Sequence, residues 1–216
     1  MESVVDAVVW YFAFVFSVTL HEASHALAAM WGGDATAYEG GQVSLDPIPH
    51  MRRSPFGMIL FPIITLVVAG WPMGFASAPY DPTWADRYPR RAAWMSLAGP
   101  AANLALVLLC SALVWVGIAA GHFEQPPSAN YHHIVSATGD GTWVSAAFIL
   151  SVMFTMNLIL FLLNMIPLPP LDGAGALGLL LSDDGARRLR EVASNSTFAM
   201  LGMLLVFYMF GEVFDP

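Results

Sequence analysis

Residues 4–30, 92–120 and 143–166 are apolar runs too long for the core of a small soluble domain, and residues 197–210 form a shorter fourth run. A helix needs about 20 apolar residues to cross a bilayer. Charged residues make up only 11% of the chain, against about 25% in soluble proteins. The expected fold class is therefore an all-α polytopic membrane protein, a single membrane-embedded domain over residues 1–216 with about four spanning helices.

The same composition excludes other classes. The formal net charge is −8, and all eight basic residues are arginine, so no basic stripe is available for nucleic acid. Cys110 is the single cysteine, which rules out a disulfide framework. Glu2 and Asp6 stand where a secretory signal would carry positive charge, so the first apolar segment is read as retained.

A fifth apolar run, residues 56–78, is broken by Pro62, Gly70, Pro72 and Gly74. Arginines fall in the loops 31–55, 79–91 and 182–196, and none falls in 121–142. The positive-inside rule puts the first three loops in the cytoplasm and the last outside. A single crossing by 56–78 would separate the first two arginine loops. The run is therefore expected to be re-entrant, with the N-terminus outside, although five crossings remain the alternative. Such backbone survives at membrane depth only beside protein or water. Residues 33–50, with Gly-Gly and Asp-Pro turn signals around "QVSL", read as a small strand-like element at the membrane surface.

The chemistry lies in "HEASH", residues 21–25. His21 and His25 are four residues apart, so on a helix they differ by about 40° in azimuth and about 6 Å in height. Both imidazoles can then ligate one metal ion, with Glu22 within reach of a water on it. Ionisable groups at mid-membrane depth cost about 2.5–3.5 kcal/mol each on insertion scales, so a cluster calls for a compensating partner. Catalytic zinc usually takes three protein ligands. Asp172, after the prolines of "PLPPLDG" at the end of the third long helix, is the candidate third. The helices bearing the two motifs are parallel if 92–120 is the only crossing between them, and their motif-bearing ends can then meet.

In this order "HEASH", "AGPAAN" (98–103) and "NMIPLPPLDG" (164–173) resemble the site-2 protease family of intramembrane zinc metalloproteases. The loops are similar to its short bacterial branch, which carries neither a PDZ nor a CBS domain. The resemblance implies one zinc ion per chain held by His21, His25 and Asp172, with Glu22 as catalytic base. It also implies roles for Asn164 and Asn103 in polarising or positioning the peptide carbonyl, helix–helix hydrogen bonding being the alternative for Asn103. The implied substrate is a transmembrane protein in the lipid bilayer of the cell membrane, cleaved toward the cytoplasmic side. "MGFASAPYDP" (73–82) departs from the Lys-Pro-Val-Pro-like run usual in that family, which puts specificity rather than metal chemistry in question.

Two other function classes compete. A non-proteolytic metal-binding membrane protein of the same fold would not require Glu22. A metal transporter would need ligands through both leaflets, and apart from Asp6 the outer helix halves lack ionisable residues. Three surface assignments complete the expectations: His50, His132 and His133 solvated, Trp10, Trp31, Tyr80 and Trp84 interfacial anchors, and Arg187, Arg188 and Arg190 against anionic lipid.

Overall fold

The computed structural model describes residues 4–214. Three long helices, α1 (Val4–Gly32), α6 (Pro89–Ala119) and α7 (Thr142–Asn164), pack side by side. Between α1 and α6 lie α2 (Thr36–Glu39), α3 (Pro47–Arg53), a π-helical turn (Phe56–Leu60) that runs into α4 (Phe61–Ala69), and α5 (Pro82–Arg87). A two-stranded antiparallel sheet, β1 (Phe123–Glu124) with β2 (Ser136–Ala137), sits between α6 and α7, with Phe123 opposite Ala137. After α7 come α8 (Asp172–Ala176), a 3-10 turn (Leu177–Leu180), α9 (Asp183–Ala193) and α10 (Ser196–Phe214).

The helices α1, α6 and α7 are each long and apolar enough to cross a membrane, and α10 carries a shorter apolar stretch, Ser196–Leu205. The architecture is that of an all-α polytopic membrane protein. Its polarity is turned inward. On α1 the buried residues Trp10, Phe14, Ser17, Val18, His21, His25 and Ala29 recur at helical spacing, while Val4, Val5, Val8 and Phe12 are exposed. Lipid tails solvate the apolar face as well as protein does, so close packing and interhelical polar contacts hold such a bundle. Small residues make that packing possible: Ala13, Ala26 and Ala29 on α1, and Ala147 and Ser151 on α7, are all buried.

The segment 56–78 doubles back. Gly70 ends α4 at φ 79°, in the left-handed region that glycine adopts without steric penalty. The chain then returns alongside: the Phe75 N–H donates to the Gly57 carbonyl at 3.1 Å, and Arg53 Nε donates to the Ser77 carbonyl at 3.0 Å. Its exit therefore lies beside its entrance. The helical limb is bent 115° from α3, and Met58 and Leu66 of that limb pack on Trp10, Phe14 and Val18 of α1.

The arginine-bearing loops gather at one end of the bundle. The Gly32 carbonyl at the end of α1 accepts from Arg91 Nη1 and Trp84 Nε1, both at 3.0 Å, while Arg187 Nε donates to the Asp86 carbonyl at 2.8 Å. Arg190 also pairs with Asp86. Arg187 and Arg190 thus tie α9 to α5 rather than reaching for lipid. Loop 121–142 caps the opposite end, where Trp10 is fully buried and donates from Nε1 to His132 Nδ1 at 3.1 Å. Trp10 is therefore a packing residue and not an interfacial anchor, and His132 is half-buried against it.

Residues 33–50 contain no strand; the sheet lies in loop 121–142 instead. Asp-Pro is a turn signal but equally a helix start: Asp46 accepts from the Ile48 N–H at 2.9 Å as N-cap, and Pro47 opens α3 at a position where its missing N–H costs nothing. Asp81-Pro82 begins α5 in the same way. His50, expected in solvent, is buried with its ring donating to the Ser44 carbonyl at 3.0 Å.

Asp34 joins these loops. Burial pushes its carboxyl up, but hydrogen bonds from the Thr36 hydroxyl, the Thr36 N–H and the Asp81 N–H outweigh it and hold it below the usual carboxylate range. Losing such bonds to a charged acceptor costs about 2 kcal/mol, so Asp34→Ala should lower the melting temperature by about 4–8 °C at pH 7. A carboxyl with a lowered folded-state pKa stabilises the fold above its unfolded value of about 3.9 and loses that contribution as pH falls through the folded value. The gap between parent and variant should accordingly shrink below about pH 4, and a pH-independent gap would show that the charge is irrelevant.

Candidate metal centre

Within the α1 stripe, one turn of helix separates His21 from His25, and both rings point between α6 and α8. Their Nε2 atoms are 3.0 Å apart, and Asp172 Oδ2 stands 2.9 Å from His21 Nε2 and 3.2 Å from His25 Nε2. Both histidines are buried, and the Asp172 side chain is 22% exposed.

Asp172 arrives there because α7 cannot continue. Pro167, Pro169 and Pro170 remove backbone donors and force the chain out of the helix, through turns closed by Leu168 N–H to the Ile166 carbonyl and Leu171 N–H to the Leu168 carbonyl. The next turn, α8, then packs on α6 with Asp172 as its first residue. Gly99 of α6 completes the enclosure. A Cβ at this position would fall on the Nε2 atoms of both His21 and His25, so only glycine lets α6 approach the ring pair.

The chemistry of the donor set suits a divalent cation. The Met95 carbonyl can only accept, so His25 Nδ1, 2.7 Å away, carries a proton. His21 Nδ1 faces the Asn103 Oδ1 at 2.6 Å and donates likewise. With Nδ1 held as the donor, Nε2 is the nitrogen each imidazole can offer to a metal, and the two Nε2 atoms converge with one carboxylate oxygen. A divalent cation between these three atoms would satisfy all of them at once. Their 2.9–3.2 Å separations are close to the roughly 3.3 Å between ligand atoms that tetrahedral zinc bonds of about 2.0–2.1 Å produce. Among the described residues these three form the group of His, Cys, Asp and Glu side chains able to hold a metal ion.

Glu22 is buried beside them, and its Oε2 has no hydrogen-bond partner among protein groups. It lines, with His21, His25, Asp172 and Asn164, a cavity of about 510 Å³ whose walls are otherwise mostly apolar: Trp71 to Ala78 of the returning segment, Met156, Ile159, Leu160 and Leu163 of α7, and Met203 of α10. Asn164 donates one amide hydrogen to the Leu160 carbonyl at 3.0 Å, leaving a second for the cavity.

Asn103 is placed differently from a carbonyl-polarising role. It is fully buried and absent from the cavity wall. Its Oδ1 faces His21, and its Nδ2 donates to Asn157 Oδ1 at 2.9 Å and more weakly toward the Ser17 carbonyl at 3.5 Å. No amide hydrogen is left for a peptide carbonyl. Asn157, Ser17 and the Met95 carbonyl carry no local motif; an amide midway along an apolar spanning helix is the one sequence signal for Asn157.

A helical membrane bundle enclosing an H-E-x-x-H helix and an acidic third partner defines a class of membrane metalloprotein. The sequence profile of peptidase family M50 matches residues 9–209, and the chain belongs to that family, the site-2 protease family. It is 32% identical over 166 residues to YwhC of Bacillus subtilis, covering 74% of this chain and 63% of that one. It is 31% identical over 192 residues to Rip2 of Mycobacterium tuberculosis, covering 88% and 63%, and 30% identical over 194 residues to Rip2 of Mycolicibacterium smegmatis, covering 89% and 64%. All three are named as candidate zinc metalloproteases. The chain spans less than two thirds of the length of each relative. No solved structure matches it significantly.

Proposed function

We propose that the chain is an intramembrane zinc metalloprotease that hydrolyses peptide bonds within or near transmembrane segments of membrane-protein substrates. Its ligands for one zinc ion would be His21, His25 and Asp172. The observation that supports this most is the convergence of His21 Nε2, His25 Nε2 and Asp172 Oδ2 beside a buried Glu22 whose Oε2 has no hydrogen-bond partner among protein groups. Family membership and the names of the relatives agree with it.

Zinc, when bound, supplies Lewis acidity and lowers the pKa of water from about 15.7 toward 7. Glu22 takes a proton from the attacking water at Oε2 as the new C–O bond forms at the peptide carbonyl. The same carboxyl returns that proton to the leaving nitrogen as the C–N bond breaks. The second amide hydrogen of Asn164 would donate to the carbonyl oxygen as it gains charge. His25 and His21 keep their Nδ1 protons throughout, held by the Met95 carbonyl and Asn103 Oδ1.

A substrate helix must unwind to expose its carbonyls. The returning segment 71–80 borders the cavity and carries no helix or strand of its own, so its backbone would offer an edge for an extended peptide. We assign the site to the cytoplasmic side of the cell membrane, because the arginine-bearing loops surround it.

Purified protein in detergent or vesicles should cleave a transmembrane reporter, stop when a chelator strips the metal, and resume when zinc is returned. Mass spectrometry should place the cut inside or next to the reporter's apolar segment. Cleavage that survives complete metal removal, or cuts confined to distant soluble loops, would refute the proposal.

A further inference from the structure

We propose that Asn157, on α7 and outside the cavity, is a positioning residue that sets which nitrogen of His21 is free to bind metal. This rests on the metal-binding role proposed above for His21. The chain of hydrogen bonds has one consistent direction. The Met153 carbonyl accepts from Asn157 Nδ2 at 2.8 Å, and the Ser17 hydroxyl lies 2.9 Å from the same nitrogen. A backbone carbonyl cannot donate, so the amide of Asn157 is fixed with Oδ1 facing Asn103 at 2.9 Å. Asn103 must then present Nδ2 to Asn157 and Oδ1 to His21. That oxygen accepts the Nδ1 proton, and Nε2 is left bare, pointing at His25 and Asp172.

All three side chains of the relay besides His21, namely Ser17, Asn103 and Asn157, are fully buried, so no water competes for these bonds. They also sit on three different helices, α1, α6 and α7. The information that selects the histidine tautomer therefore begins at a carbonyl of α7 and crosses the bundle through two amides. Without Asn157, the acceptor left for Asn103 is the Ser17 carbonyl at 3.5 Å, at the outer limit of a hydrogen bond. The Asn103 amide is then free to turn over and offer its NH2 to Nδ1. His21 would shift its proton to Nε2, the nitrogen that has to face the metal.

Partners that orient a metal-binding histidine are typically worth 10–100-fold in metal affinity. Asn157→Leu, similar in shape and without an acceptor, should weaken zinc binding to the purified full chain by about 10-fold or more, measured by competition with a chromogenic chelator. Asn157→Ala gives the same readout where the leucine variant does not fold. The decisive arm is rescue: with Asn103→Asp added to Asn157→Leu, a carboxylate accepts the Nδ1 proton whichever way it turns, and zinc affinity should return to within a few-fold of the parent. A merely structural loss at α7 would not be rescued. Zinc binding by Asn157→Leu equal to the parent, or a double variant as weak as the single, would overturn the inference. The wider proposal is checked separately by His21→Ala: retained zinc affinity in that variant would mean His21 is not a ligand at all, whatever Asn157 does.

Discussion

Glu22→Gln should leave zinc content unchanged and reduce cleavage of a transmembrane reporter by about 10²–10⁴-fold, the usual contribution of a positioned general base. The substitution keeps the shape of the side chain and removes the one group able to take a proton. Glu22 is not among the three atoms that converge to hold a cation, so metal analysis of the variant should read as the parent. The prediction is sharp because Oε2 of Glu22 makes no hydrogen bond to the protein. A carboxylate kept for structural reasons inside a bundle is ordinarily paired, and this one faces the cavity where substrate would lie. Equal cleavage by parent and variant would remove the enzymatic assignment while leaving the metal site intact. Loss of metal along with activity would instead show that Glu22 is a ligand.

Gly99→Ala should abolish high-affinity zinc binding, with a loss beyond about 100-fold, more than removing a partner that merely orients a ligand. The added methyl group would occupy the space of both Nε2 atoms. Relief is possible only if α6 backs away from α1 or the two imidazoles rotate, and metal sites tolerate displacements of only about 0.2 Å in their bond lengths. Backing away would also stretch the bonds from His25 to the Met95 carbonyl and from His21 to Asn103, since both acceptors ride on α6. As a control, Ala101→Leu places more bulk on an exposed position of the same helix and should bind zinc as the parent does. Circular dichroism of the metal-free proteins separates a lost site from a lost fold. Parent-like affinity in Gly99→Ala would mean that α6 does not press on the ring pair.

The two large effects differ in how they could be foreseen. Glu22 stands within a local pattern on one helix, where a spacing of one and four residues already fixes which side chains share a face. Gly99 and Asn103 belong to "AGPAAN", a motif visible in the sequence whose purpose was not. Glycine could be seen to permit close approach, but which atoms approached, and that they were the metal-facing nitrogens, depended on where α6 lay against α1. Asn103 looked as suited to polarising a peptide carbonyl as to bridging helices, and its orientation away from the cavity separated the two.

The loops show the opposite case, in which local signals were present and misassigned. Asp46-Pro47 satisfies both a turn and a helix start, and burial of its neighbour His50 accompanies the helix. Arg187 and Arg190 found Asp86, more than a hundred positions away in the chain, so no local pattern could have linked them.

The apolar runs, the inward stripe of α1 and the pairing of His21 with His25 follow from chain-local rules, hydropathy and helical period, and for these the sequence sufficed. The meeting of Asp172 with the histidines, the Gly99 contact and the amide relay from Asn157 join residues from different helices. Their positions are set by how the helices cross and by which buried polar groups must be satisfied at once, a condition imposed by the whole packed bundle and carried by no single segment.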